Sequence, residues 1–427
     1  MIKKKKQSPI IILIAIFLAF IVGNITGIEN GVFGITYYSI FDLFGKIFIH
    51  SLTLIVVPLV SSSIILGVAK IGKDQSFGRI SLKILTFYIA TTLSAILVGL
   101  FLVNILTPGV NDSLRELVQQ GTFAGAHEQI ASHKGAGFSE LLLSIVPSNI
   151  FEAFSRGAML AVIFFSLFFG FSLSKIRGDG AETLQNFFQG LFDAMLTMTK
   201  LIMKCLPFGV FCLVAKVAAT TGYKSLSSLG WFFITVVGSL LIFSLIIIPL
   251  FLRFIGKVSP KNHFKAMSPA LITAFSTSSS SASLPITMDC LEKRAGISNR
   301  ICSLVVPLGT SLNMSGSALY ECVAALFIAQ VYGIDLAISA QITIVILSLL
   351  TSMGVAGIPA ASLVALIIIL ETCGLPVEGI GLFLAVDRIL DMCRTTVNVL
   401  SDSCCAILVA KSEGETNILT RKVFTEE

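Results

Sequence analysis

Long apolar runs separated by short polar breaks occupy most of the 427 residues. Ile10 to Ile28, Ile84 to Leu106 and Trp231 to Leu252 each hold about 20 residues, the length of helix that crosses roughly 30 Å of hydrocarbon. These runs predict membrane-spanning helices. The first follows Lys3, Lys4, Lys5 and Lys6, yet it is long, lacks an obvious small-residue cleavage site and precedes further spans, so it is expected to be retained rather than removed as a signal peptide. Between 107 and 140 the character changes to Pro108, Gly109, Asn111, Asp112, several Gln and Gly residues and two histidines, which predicts a polar outside loop. From 184 to 222, Lys200, Lys204 and Lys216 interrupt an apolar stretch, as in a helix with a partly wet face.

Towards the C-terminal end the apolar segments are broken at mid-length. An unpaired backbone group in lipid costs several kcal/mol, so such breaks survive only where protein or a water-filled cavity surrounds them. Residues 266–275 (AMSPALITAF) are too short to span; the serine-rich run Ser276 to Ser283 follows, then LPITMDCL before Lys293 and Arg294. Basic residues flank both ends, which predicts a helical hairpin entering and leaving on the cytoplasmic side, with the serines at its tip. A second broken unit, Ala337 to Leu375, contains TSMGVAGIPAASL, and one intervening span, Ile301 to Val331, puts it on the opposite face. Paired broken segments in two inverted halves point to a transporter site near the midplane.

Composition and charge agree. Hydrophobic residues make up 55% of the chain and charged ones 13%, with a mean hydropathy of +0.92, more apolar surface than a soluble core could hide. The net charge of +6 sits at helix ends rather than along one face, so nucleic acid is not expected as a partner; the lipid bilayer is. Lys3 to Lys6, then Lys70, Lys73, Arg79 and Lys83, then Lys175 and Arg177, then Arg253, Lys257, Lys261 and Lys265 mark cytoplasmic loops, which places the N-terminus in the cytoplasm. The nine cysteines show no Cys-x-x-Cys pair and the four histidines are scattered singly, so unpaired buried thiols and no metal site are expected. No His-Glu-x-x-His, Gly-x-Ser-x-Gly or ATP-binding P-loop occurs, which argues against an enzyme.

The final span, Val377 to Ala410, carries Asp387, Arg388, Asp391, Arg394 and Asp402. At about 2.5 to 3.5 kcal/mol for each charge near a helix centre, these cannot face lipid. Asp387, Asp391, Arg394, Asn398 and Asp402 step by four, three, four and four, which is one helical face. A self-neutralising ion-pair ladder is the bland alternative, but it leaves the neighbouring broken segments unexplained. Arg394 can pair bidentately with a carboxylate and Asp391 can accept an ammonium group, which together match an amino acid with an acidic side chain. Backbone amides at Ser279 and Ser280 suit a second carboxylate, unless the serine run is only a flexible polar loop. In VPLGTSLNMSGSALYE, Gly309, Asn313, Gly316 and Ser317 are expected to open the helix. Freed carbonyls with Asn313, Asn398 and Asp402 then make an oxygen set suited to a hard monovalent cation; a small-residue packing interface is the alternative.

STSSSSASLPIT, NMSGSALYE, GVAGIPAASLV and DRILDMCRTTVNVLSD, in that order and spacing, resemble the glutamate transporter family, the dicarboxylate/amino acid:cation symporters that include the excitatory amino acid transporters and their bacterial relatives. The resemblance spans nearly the whole chain. It implies an all-α integral membrane protein of the cell inner membrane, a homotrimer with both termini cytoplasmic, whose subunits have eight transmembrane helices plus two re-entrant hairpins in inverted repeats. Residues 1–75 would be scaffold helices one and two, 76–108 transport-domain helix three, 109–140 an extracellular or periplasmic loop, and 141–225 scaffold helices four and five. The transport domain, 226–412, would hold helix six, hairpin one (266–293), helix seven (301–331), hairpin two (337–375) and helix eight (377–410), with 413–427 a cytoplasmic tail.

By the same resemblance the activity is symport of glutamate or aspartate with sodium, or with protons, by an elevator movement, with no other cofactor. Arg394 would read the side-chain carboxylate and Asp391 the amine, with Thr395, Asn398, Ser317, Ser362 and the backbone near Ser279, Ser280 and Ile358 completing the substrate shell. Gly309, Asn313, Asn398 and Asp402 are similar to one sodium site, Ser311 with the backbone of Ser352, Met353 and Val355 to a second, and Tyr88, Thr91 and Thr92 to a third. Sodium-coupled members usually have an aspartate where this chain has Ser315, which opens the way to proton coupling. Ala360 and Ser362 replace common glycines of the second hairpin, and the last motif ends in Ser401-Asp402 rather than Gly-Asp. Transport of a C4-dicarboxylate or a neutral amino acid, or a channel or sensor on the same scaffold, are the competing expectations.

Overall fold

The computed structural model describes residues 9–32, 35–71, 75–110, 146–156, 158–176, 178–221, 225–353 and 361–419. Helices α1 (Pro9–Thr26), α2 (Tyr37–Ile71) and α3 (Gln75–Leu106) come first, with a two-stranded antiparallel ribbon, β1 (Gly31–Val32) and β2 (Ile35–Thr36), between α1 and α2. Then follow α4 (Ile150–Arg156), α5 (Met159–Lys175), α6 (Asp179–Ile202) and α7 (Leu206–Thr221). The polar loop expected over 107–140 falls, from 111 onward, outside the described residues.

α8 (Ser225–Ile242) continues through two π-helical turns, Phe243–Ile247 and Phe251–Ile255, that flank Pro249. A proline has no N–H to give the preceding turn, so the bonding register slips by one residue around it. The helix stays continuous and long enough to cross a membrane. Leu82–Leu106, Leu229–Ile255 and Asn299–Val331 are three stretches with that length and apolarity.

α9 (Pro260–Thr277) and α10 (Ser280–Asp289, continued by a π-helical turn to Arg294) pack against each other across a two-residue turn. The turn is made by Ser278, left-handed at φ 48°, and by extended Ser279, whose side chain caps α10 by accepting from the Ala282 amide at 3.2 Å. The first arm begins at Pro260 rather than 266, because proline at the first helical position starts a helix and the polar His263 is buried within it, bonded at 2.8 Å to Ser403 Oγ.

α11 (Asn299–Leu312) and α12 (Ser315–Val331) are one long segment with a break. The break is confined to Asn313 and Met314, which leave helical geometry at ψ 65° and ψ 58°. Gly309, Gly316 and Ser317, expected to help open the helix, are helical. The two glycines serve close approach instead, described below. α13 (Ile338–Ser352) and α14 (Ala361–Thr372) pack on each other and on α12; residues 354–360 between them, which include Val355, Ile358 and Ala360, lie outside the described residues. A 3-10 turn, Val377–Leu382, leads into α15 (Leu384–Ser412).

Two sets of helices emerge from the packing. α2 packs on α5, α6 and α7, and α7 on α1; α3 packs on α8, α12, α13 and α15, and α15 on α8, α9, α11 and α12. Fewer contacts join the sets, chiefly α14 on α2 and the 3-10 turn on α7. The centre of the second set is α12, buried along its length, with the rings of Phe232, Tyr320, Phe327 and Phe383 packed together, Phe232 stacked on Phe383 and tilted or edge-on to the others. Residues 413–419, beyond α15, are tied down. Ile418 and Leu419 are buried, the Leu419 amide donates to Ala295 O at 2.9 Å and Asn262 donates to Leu419 O at 3.3 Å. Glu415 accepts from the Ser298 amide at 3.2 Å, and Glu413 pairs with Lys83 of α3.

Candidate functional site

α15 threads the second set of helices, so the polar face of a 29-residue helix is turned away from any lipid. Arg394 is fully buried there. Its Nη2 lies 3.1 Å from Asp387 Oδ1 and 3.2 Å from Asp391 Oδ1, and its guanidinium sits 3.8 Å from the Tyr320 ring centroid on α12. The stacked ring fixes the plane of the fork. Nε and Nη1 have no hydrogen-bond partner among the described residues. Two buried, charged donors left unpaired cost several kcal/mol, and a carboxylate set against that edge of the guanidinium removes the cost.

Asp391 places one oxygen on Arg394 and the other, Oδ2, 3.3 Å from Arg388 Nη1. One turn further along, Asn398 Oδ1 accepts from the Gly316 amide at 2.8 Å and the Ser317 amide at 3.3 Å, and its Nδ2 donates to Ser317 Oγ at 3.2 Å. Asn398 thus caps the freshly started α12, whose first amides have no helical partner. Gly316 permits this approach: a Cβ there would lie 2.6 Å from Arg394 O. Thr395, next to Arg394 on α15, and Ser362, on the first turn of α14, are both buried. Ser279 lies in the turn at the hairpin tip and Ser280 opens α10, which packs on α15.

Below that lies an oxygen cluster around the helix break. Asn313 Nδ2 donates to Asp402 Oδ1 at 2.8 Å and to Ser401 Oγ at 3.2 Å; Asn313 Oδ1 accepts from Thr91 at 3.2 Å, Thr92 at 3.1 Å and Ser315 at 3.2 Å. Ser315 Oγ also lies 2.9 Å from Ser401 Oγ and 3.0 Å from Thr92 Oγ1. The two serines that depart from the expected motif therefore bond to each other, and the hydroxyl of Ser401 occupies space a glycine would leave empty. A single carboxylate among hydroxyl and amide oxygens is donor chemistry suited to a hard monovalent cation or a proton. Gly309 cradles it: a Cβ would lie 2.5 Å from Asp402 Oδ1.

Four candidates make no hydrogen bond to this cluster among the described residues. The Tyr88 hydroxyl donates to Val305 O, tying α3 to α11 rather than joining Thr91 and Thr92. Ser352 Oγ bonds back to Leu349 O at 2.8 Å, and Met353 is a partly buried core residue. Ser311 is half-buried on the last turn of α11.

Sequence reasoning passed over Tyr320 and Glu321. Glu321 is buried on α12 and accepts from Thr351 Oγ1 on α13 at 3.0 Å, so it joins the second broken segment to the centre of the molecule. The signal was present: a lone carboxylate in an otherwise apolar span marks function by default. Tyr320 could be found only by its contact with Arg394, which sequence spacing does not reveal.

The model of the sodium:dicarboxylate symporter family matches residues 12–412. The chain is similar to the proton/sodium-glutamate symport protein of Bacillus caldotenax, 39% identical over 385 residues that cover 90% of each chain. It is similar to the proton/glutamate-aspartate symporter of Escherichia coli (strain K12), 37% identical over 86% of this chain and 84% of the relative. Human excitatory amino acid transporter 3 is 34% identical over 84% of this chain and 76% of its own.

Proposed function

The chain belongs to the sodium:dicarboxylate symporter family, and on that premise we propose that it is a secondary active symporter of glutamate or aspartate, driven by sodium ions or protons. It is a multi-pass membrane protein and not an enzyme. The observation that carries the substrate class is Arg394, wholly buried beside the carboxylate of Asp391 with two donors that have no partner among the described residues. A substrate with a side-chain carboxylate for Arg394 and an ammonium for Asp391 satisfies both charges at once. Thr395, Asn398, Ser317, Ser362, Ile358 and the amides at Ser279 and Ser280 complete the shell.

Coupling follows from electrostatics. The substrate carries a net negative charge into a low-dielectric site, and a cation among Gly309, Asn313, Asn398 and Asp402 offsets it, so each ligand favours the other. Ser311, Ser352, Met353 and Val355 make a second cation position. Thr91 and Thr92, with Tyr88 one turn before them on α3 bonded to Val305 O, make a third, where the neutral Ser315 and Ser401 weaken cation binding and leave room for protons as the driving ion.

The helix set α1, α2 and α4–α7 acts as scaffold and the set α3 and α8–α15 as the moving transport domain. The sparser contacts between the sets support a sliding boundary. The pairs α9/α10 and α13/α14 are the two re-entrant hairpins, the second of them the outer gate, within inverted repeats of an eight-span subunit. Exposed aromatic side chains on the scaffold set, Phe151, Phe168, Phe171 and Phe187, suit lipid and a homotrimer contact. Both termini are cytoplasmic, by the distribution of Lys and Arg.

Uptake of labelled glutamate and aspartate into proteoliposomes, with sodium and proton gradients imposed separately, tests the reading. Accumulation against the gradient under either ion is expected, with Arg394→Cys losing it: affinity for acidic substrates should fall at least about 30-fold, the size of stranding one member of a buried charge pair. Failure of both amino acids to accumulate under any gradient would sink the proposal.

A further inference from the structure

Arg388 stands one position off the stripe of site residues on α15, and the substrate chemistry above gives it no part. Its guanidinium nevertheless reaches the site, with Nη1 3.3 Å from Asp391 Oδ2, while Asp391 Oδ1 is held at 3.2 Å by Arg394. Asp391 therefore gives one oxygen to each arginine. The two holds differ in kind. Each is one bond of similar length, but Arg394 is wholly buried under Tyr320 and is also held by Asp387 at 3.1 Å, whereas the Arg388 side chain is 16% exposed and Asp391 is the carboxylate it meets. Arg388 Nε is itself buried without a partner among the described residues, so the guanidinium is only partly satisfied where it stands.

An ammonium that is to bind Asp391 must compete for Oδ2, because Oδ1 belongs to the arginine that cannot leave. We propose that Arg388 is a specificity-determining residue that holds Asp391 Oδ2 in the absence of an amine and yields it to the ammonium of the substrate. The inference rests on the proposed function and deepens it. While Arg388 is on Asp391, the charge of that carboxylate is offset, and a dicarboxylate without an amine meets less repulsion. Remove Arg388, and the bare oxygen attracts an ammonium more strongly and repels a second carboxylate. Arg388 thus sets how strictly the site demands an amine.

The test compares L-glutamate with glutarate, which has the same two carboxylates and no amine. Dissociation constants are measured on the purified full-length protein in sodium-containing buffer, by competition against labelled glutamate, for the unmodified chain, Arg388→Gln, Arg388→Met and Arg388→Lys. Both neutral variants should raise the ratio of the glutarate constant to the glutamate constant by about fivefold, the size of a partly exposed ion pair. Arg388→Lys, which keeps the charge, should stay within about twofold of the unmodified protein. Equal changes for both ligands, an unchanged ratio or a fall in the ratio would overturn the inference while leaving the proposed function standing. So would unfolding of both neutral variants beside a stable lysine variant, which would make Arg388 structural. Absence of glutamate binding to the unmodified protein would overturn the proposed function and this inference with it.

Discussion

A Cβ added to Gly309 would lie 2.5 Å from one Asp402 oxygen and 3.1 Å from the other, inside a helix whose backbone cannot step aside. Gly309→Ala must therefore push Asp402 out of the oxygen cluster or strain α11, which costs about 1 to 3 kcal/mol. The expected outcome is a rise of about tenfold in the concentration of the driving cation that gives half-maximal uptake, with smaller effect on glutamate affinity at saturating cation; equal loss of both would mean that the helix has simply been broken. The stripe Asp387, Asp391, Arg394, Asn398 and Asp402 was legible because helical periodicity carries it and because charges in an apolar span have no other use. Tyr320 and the bond from Thr351 to Glu321 were not, since both depend on which face of α12 meets α15 and α13, and a helix that is buried all round shows no amphipathic stripe to orient it. The same limit hid the Ser315–Ser401 contact. Each serine was visible as a departure, but only packing brings their hydroxyls to 2.9 Å.

At the scale of elements, broken segments were readable and their exact breaks were not. Two short apolar arms around a serine run between basic flanks let the hairpin α9/α10 be drawn from the chain, while the proline that starts α9 at 260 and the Ser279 cap, both local signals, went unused. The break between α11 and α12 fell on Asn313 and Met314 rather than on the nearby glycines, because the Asn313 side chain bonds Asp402, Ser401, Thr91 and Thr92 and so replaces the helical bonds its backbone gives up. Residues 413–427 were expected only as a cytoplasmic tail. Its apolar pair, Ile418 and Leu419, instead closes over Ala295 and Asn262 at the base of α9/α10. Burying two such side chains contributes on the order of 3 to 5 kcal/mol in total. A chain ending at Ser412 should therefore show faster amide hydrogen exchange across Ala295–Ser298 and at the start of α9, with the tip at Ser278–Ser279 unchanged. Exchange that is the same in both chains would remove the tail from the structure's working parts.

For the molecule as a whole, the two sets of helices meet where α14 lies on α2 and the 3-10 turn lies on α7. Glu371 of α14 is within electrostatic reach of His50 of α2 at that boundary. If the sets slide past each other, joining these positions stops transport without touching the binding site. With the exposed Cys205 replaced, His50→Cys with Glu371→Cys should lose uptake on cross-linking with a bifunctional methanethiosulfonate that bridges the gap, keep glutamate binding and recover with reductant. Loss of binding together with uptake would count against sliding. The division into sets was not readable from hydropathy, which treats every apolar helix alike; it needed the record of which helix packs on which.

The position of α15 in the chain has a consequence for biogenesis. Asp387, Asp391, Arg394, Asn398 and Asp402 all leave the ribosome after the helices they must meet, and the residues that tie the base of α9/α10 follow later still. Until then the Nδ2 of Asn313 waits in the bilayer without Ser401 and Asp402, the side chains that satisfy it, and the Gly316 and Ser317 amides wait for Asn398. Chains fold broadly from the N-terminus during synthesis, so a nascent or prematurely terminated copy exposes unmet polar groups at mid-membrane. Such a copy carries its own mark for proteolytic disposal, and completion of the last helix is what erases it.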